Sequence, residues 1–160
     1  MKTLTLITAL LLSLTAIGQT WERVPVVDEF EEATGDTVTS ILIKEGKFSN
    51  SATLASHLCV KIVDYGNGND AMIYLFEYCR SKATFGKTAY GVIRFRTNDH
   101  TYESKALYSK GSSAILIESG SKFYNWMSSG KHDAKVLVNE KDFGGYGTSK
   151  YIFECVSKNK

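Results

Sequence analysis

Cys59, Cys79 and Cys155 are the three cysteines of this chain, and His57, His100 and His132 are its three histidines. These are the side chains of zinc sites and thiol catalysis, and both chemistries need partners at short, ordered spacing. No His-x-x-x-His or Cys-x-x-Cys pair occurs, and no nucleophile signature surrounds any cysteine. The histidines fall at strand edges and turns, where exposed loop histidines belong. No metal and no organic cofactor is expected. Asp64, Glu77, Asp99 and Glu103 supply carboxylates for glycoside cleavage only if two of them meet about 5–9 Å apart in a cleft. A hydrolase elbow, Gly-x-Ser-x-Gly, is absent. Gly144-Gly145-Tyr146-Gly147 lacks the Lys-Ser/Thr of a phosphate loop and opens no helix, so it reads as a hairpin loop with Tyr146 at its tip.

The compartment of these cysteines follows from the first residues. Met1-Lys2 is a short basic start, Leu4 to Ile17 is apolar with Thr and Ser interspersed, and Ala16-Ile17-Gly18 offers small residues at a cleavage position. Residues 1–18 read as a signal peptide of bacterial type, cut after Gly18. The run is short of the roughly 20 apolar residues of a stable membrane anchor. Export to the periplasm or outside the cell places the cysteines in an oxidising compartment, where one pair is bridged and one thiol is left over. Cys59 and Cys79 are equidistant from Asn69, inside the turn Gly66-Asn67-Gly68-Asn69-Asp70, so a hairpin centred there sets them opposite one another. The rival pairings join Cys155 to either of them. The net charge of +2 excludes an electrostatic nucleic-acid binder.

The elements that must hold these residues are strands. Residues 19–36 read as an N-terminal arm or edge strand, because Pro25 cannot sit in a central strand. Asp28, Glu29, Glu31 and Glu32 form a solvated loop there, and Thr34-Gly35-Asp36 a turn. Residues 37–160 read as one domain, with strands at Thr37–Ile43, Leu58–Tyr65, Ala71–Tyr78, Tyr90–Arg96, Thr101–Tyr108, Ala114–Glu118, Ala134–Asn139 and Lys150–Ser157. Phe123, Trp126 and Met127 recur at helical spacing between Ser121, a cap, and Gly130, a stop. The pattern predicts a mainly β protein: an antiparallel β-sandwich with one short helix before the last two strands. That helix seals one open end, burying Phe123 and Trp126.

Alternation puts Ile93 and Phe95 inward and Arg94 and Arg96 outward. With Lys105, Tyr102 and Tyr108 on the next strand, these arginines form a mixed basic-aromatic surface, and Arg94, Arg96, Tyr102, Tyr108 and Tyr146 are the candidate contact residues. The expectation is a non-catalytic binding or accessory protein whose partner is an envelope or extracellular protein or glycan. The alternative is a carbohydrate-active enzyme or a carbohydrate-binding module using Tyr74, Tyr78 and Trp126 as an aromatic platform.

His57-Leu58-Cys59-Val60-Lys61, then Ala71 to Leu75, Val92-Ile93-Arg94-Phe95-Arg96 with Asp99, and Ala106-Leu107-Tyr108-Ser109 follow one another in order. The Phe123–Trp126 helix, Lys135-Val136-Leu137-Val138 and Tyr151-Ile152-Phe153-Glu154-Cys155 continue it. From His57 to Ser157 this order resembles the small exported β-sandwich proteins of the invasion-associated locus B type. It is also similar to the accessory proteins of type VI secretion, the VasI-type group. The resemblance implies a non-catalytic β-sandwich and carries over no catalytic residue. Cys79, Cys155 and the loop Arg80–Ala89 depart from it.

Overall fold

The computed structural model describes residues 19–159, so residues 1–18, expected to be a signal peptide, lie outside the described residues. The strands are β1 (Glu22–Val27), β2 (Ala33–Ser49), β3 (Ser56–Asp64), β4 (Ala71–Glu77), β5 (Ser81–Lys82), β6 (Ala89–Thr97), β7 (His100–Ser109), β8 (Ala114–Ile117), β9 (Ala134–Asn139) and β10 (Lys150–Cys155). Helix α1 (Lys122–Ser129) stands before the last two strands, and a 3-10 turn, Glu140–Phe143, lies between them. The protein is mainly β, with its short helix where the sequence pattern put it. The sandwich needs correction. Every pairing is antiparallel, and the path β2-β10-β9-β6-β7-β8-β4-β3 returns to β2, closing an eight-stranded barrel. β1 and β5 are outer strands on β2 and β4.

Closure depends on β2. Its 17 residues pair with β3 along one edge and with β1 and then β10 along the other. Between Ile43 and Gly46 the register shifts, setting Lys44 and Glu45 against Cys59 alone. Such a bulge bends its strand and adds twist, which curls the sheet until its edges meet. Inside/outside alternation is the same in a sandwich and a barrel, which is why the pattern alone suggested the commoner arrangement. β2 begins at Ala33, so Thr34-Gly35-Asp36 is strand and the turn lies earlier. There the Asp28 carboxylate accepts the amides of Phe30 and Glu32, at 2.8 and 3.0 Å.

An eight-stranded barrel is narrow enough for side chains to fill. Alternate residues do so here: Ile41, Ile43, Val60, Ile62, Ile73, Leu75, Ile93, Phe95, Val136, Val138 and Phe153 are all buried. At one end α1 lies across the opening. Phe123 and Met127 are buried, while Trp126 is only half-buried against Phe95 and Phe123. Beneath it Asp64 is buried, accepting from the Gly66 amide and the Tyr124 hydroxyl and paired with Lys158. Burial lowers the Lys158 pKa. At the other end the segment after β5 turns inward, and Phe85 stacks on Tyr108 with ring centroids 4.4 Å apart and packs on Phe143 and Tyr151. Gly91 in β6 admits the 3-10 turn, since a Cβ there would meet the Asp142 carbonyl at 2.5 Å.

Cys59 and Cys79 form the disulfide, and Cys155 is free and buried. The pairing matches the expectation; its register does not. Cys59 stands opposite Phe76, because the hairpin pairs Asp64 with Ala71 and so centres between Asn67 and Gly68. Cys79 lies beyond β4, where Tyr78 and Cys79 both take left-handed backbone, φ 53 and 56°. These two residues turn the chain back until Cys79 reaches Cys59, with the Tyr78 amide bonded to the His57 carbonyl at 2.8 Å.

Candidate binding surfaces

The arginines of β6 point outward, as the alternation requires. Register sets Thr101, Arg96, Lys135 and Glu154 in one outward row, and Glu103, Arg94, Leu137 and Ile152 in the next. Arg94 is already engaged: its Nε donates to Glu103 at 2.9 Å and its Nη1 to Asp142. The hydrogen bond to Asp142 raises its pKa, with Glu103 adding to the effect. Arg96 and Lys135 differ. They stand directly opposite one another, and neither forms an ion pair among the described residues. Like charges in register repel. Beside them Leu137 and Ile152 floor a shallow depression of about 220 Å³ that Arg94, Arg96, Thr101 and Lys135 surround.

Tyr102 and Tyr108 do not belong to this surface. Arg94 pairs with Glu103 and Phe95 with Tyr102, so the even-numbered residues of β7 share the inward face of Phe95. Tyr108 is 1% exposed and its hydroxyl accepts the Phe85 amide at 2.9 Å. Tyr102 is 40% exposed, stacked on Phe95 near the helix end of the barrel. Lys105, opposite Val92, does face outward with the arginines. Tyr146 is fully exposed in the loop after the 3-10 turn, outside the depression. Lys135, Leu137 and Ile152 escaped the sequence reading. Alternation puts them on the outer face of their strands, but nothing local places β9 beside β6.

A second depression, about 350 Å³, lies outside the barrel between β1 and the β3–β4 hairpin. Tyr65, Tyr74, Phe76, Lys61 and Lys82 line it, with Val24 and Pro25 on its rim. The Lys82 ammonium sits 4.8 Å from the centre of the Tyr74 ring, a cation–π arrangement. Burial, with the neighbouring Tyr65, raises the Tyr74 pKa. Tyr78 and Trp126, the other proposed platform residues, lie elsewhere: Tyr78 packs edge-on against Phe48, and Trp126 lies on the helix end.

The candidate carboxylates are dispersed. Asp64 is the buried partner of Lys158, Glu77 accepts from the Tyr151 hydroxyl at 2.9 Å, Asp99 is an exposed turn residue and Glu103 holds Arg94. His100 and His132 are exposed, on β7 and before β9, whereas His57 lies beside the disulfide, its Nε2 3.6 Å from the Cys79 sulfur. Burial pushes the Cys155 thiol up to about 12, with Asp133 contributing, so at neutral pH it is the protonated, unreactive form. No helix among the described residues is long and apolar enough to cross a membrane. No family model, curated protein or solved structure matches this chain.

Proposed function

We propose that the protein is an exported, non-catalytic binding or accessory protein that takes an anionic group of an envelope or extracellular glycan or protein on the outer face of β6, β9 and β10. The observation that carries this reading is the Arg96–Lys135 pair: two cations in register beside an apolar floor, neither in an ion pair among the described residues although Glu154 stands opposite Lys135. A carboxylate or sulfate placed between them relieves their repulsion, and Leu137 and Ile152 offer contact to the body of the ligand. The leader and the resemblance to exported accessory proteins support the location and the accessory role. The test is binding of an acidic polysaccharide, with a neutral one as control. Affinity is expected to fall with added salt and to be lost in an Arg96→Ala, Lys135→Ala double variant. Equal binding of the neutral polymer, or an unaffected double variant, would refute the reading.

The Tyr65–Tyr74–Phe76 groove favours a second reading, a carbohydrate-binding module that stacks a sugar ring on Tyr74. Binding of a neutral oligosaccharide that Tyr74→Ala abolishes and the Arg96 and Lys135 changes leave intact would put the site there.

A further inference from the structure

We propose that the reduced protein carries a zinc-type metal site whose ligands are His57, Cys59 and Cys79, so that the oxidation state of one cysteine pair decides between a crosslink and a bound metal. The three ligand atoms lie within 4.8 Å of one another. The contacts of His57 set a tautomer suited to the task. Its Nε2 lies 2.6 Å from the Lys44 carbonyl, which only accepts, so Nε2 carries the proton and Nδ1 keeps its lone pair. Metal-binding histidines are held this way, one ring nitrogen donating to a carbonyl while the other ligates. The carbonyl is available because Lys44 sits in the bulge of β2, opposite Cys59.

The spacing is within reach of what a metal needs. Zn–S and Zn–N bonds at tetrahedral angles put neighbouring sulfur and nitrogen ligands about 3.6 Å apart and two sulfurs about 3.8 Å apart. Cys79 Sγ already lies 3.9 Å from His57 Nδ1. The same sulfur lies nearer the protonated Nε2, at 3.6 Å, so Cys79 must swing towards Nδ1 as well as part from Cys59; it belongs to a turn beyond β4, outside the ladder that fixes Cys59. His57 is exposed, which leaves a fourth position open to water.

The chemistry balances with a dithiol as reductant. It delivers two electrons and two protons to the Cys59–Cys79 bond, giving two thiols, and is itself oxidised to a disulfide. A divalent metal ion then displaces both thiol protons and binds two thiolates and the neutral imidazole. Cys155, buried inside the barrel, takes no part.

The experiment uses the full mature chain, reduced with a phosphine, desalted without oxygen and titrated with Co²⁺. One equivalent is expected to give a thiolate-to-cobalt charge-transfer band that Zn²⁺ abolishes, and the oxidised protein none. His57→Ala changes an exposed residue and keeps the disulfide in the oxidised protein. Once reduced, this variant is expected to bind cobalt at least about tenfold more weakly, since even outer-shell partners are worth that much. Absence of the band, or equal affinity in His57→Ala, would overturn the proposal. So would a reduced chain that binds cobalt no better than the denatured one.

Discussion

The two ends of the barrel are closed by different means. At one end the plug is a regular element: α1 starts on Ser121, stops at Gly130 and drives Phe123 and Met127 into the opening. At the other, Phe85 arrives on a segment with no helix or strand of its own, held by the Ala83 amide on the Leu75 carbonyl and the Phe85 amide on Tyr108. Both plugs are fully buried aromatic rings among other aromatic rings. Burial, not regularity, decides how much a segment stabilises the fold.

The largest effects should therefore be equal at the two ends. Phe85→Ala and Phe123→Ala each remove a buried phenyl ring and should cost about 3–5 kcal/mol. Denaturant unfolding measures both. A loss below about 1 kcal/mol for Phe85→Ala would mean that the irregular end opens without consequence, and the comparison would fail. Trp126→Ala should cost less than either, because the indole is only half-buried.

The same contrast explains what could be read from the sequence. Ser121, the Phe123/Trp126/Met127 spacing and Gly130 are local signals, and they located α1. Strand alternation is local too, and it put Ile93 and Phe95 inward and Arg94 and Arg96 outward. Phe85 had no such signal: its partners Tyr108, Phe143 and Tyr151 come from three distant elements. Closure of the sheet and the meeting of Arg96 with Lys135 were illegible for the same reason, since both depend on which strands become neighbours. Tyr108 was misplaced because the face it occupies follows from pairing register. The disulfide sits between these cases. Its pairing was inferred from a hairpin symmetry that the structure shifts, and the turn at Tyr78 and Cys79 restores the contact.

Removing that disulfide sharpens the comparison, because it lies at the irregular end. A loop of this length, with the cysteines 20 positions apart, is worth about 3 kcal/mol in the chain-entropy model. A Cys59→Ala, Cys79→Ala variant should lose about that much stability. Its faster hydrogen exchange should concentrate at the end of β4, in β5 and around Ala83 and Phe85, leaving α1 near its original protection. Uniform acceleration through α1 would show that the two ends open together.

Alkaline pH probes the ends through their buried acids. Cys155, opposite Ala134 toward the helix end, is held up to about 12 by burial. The unfolded thiol loses its proton near its ordinary value of about 8.5. Between those values the folded state binds one proton more than the unfolded state, so stability falls as pH rises, by about 1.4 kcal/mol per unit. Burial also raises the Tyr151 hydroxyl at the other end, which steepens the decline above about pH 10. Cys155→Ala should flatten the slope between about pH 8.5 and 10 and leave the steeper part in place. An unchanged profile in that variant would mean that the thiol ionises without unfolding.

The smallest effect is the one only the helix end can show. Ser121 takes extended backbone, φ −64° and ψ 161°, and its hydroxyl accepts the Tyr124 amide at 3.3 Å. Losing an N-cap hydroxyl typically costs about 1 kcal/mol, and a bond this long belongs at the lower end of that range. Phe123 is anchored separately, its amide on the buried Ser104 hydroxyl at 3.1 Å. Ser121→Ala should therefore cost about 1 kcal/mol or less and fray the first turn of α1 without releasing Phe123. Exchange of the Tyr124 amide should accelerate while that of Phe123 holds. If both accelerate together, α1 is anchored by its cap, and the helix end owes its stability to local structure after all. If only Tyr124 responds, packing holds both ends, and the helix differs from the loop in how it was encoded, not in how it is held.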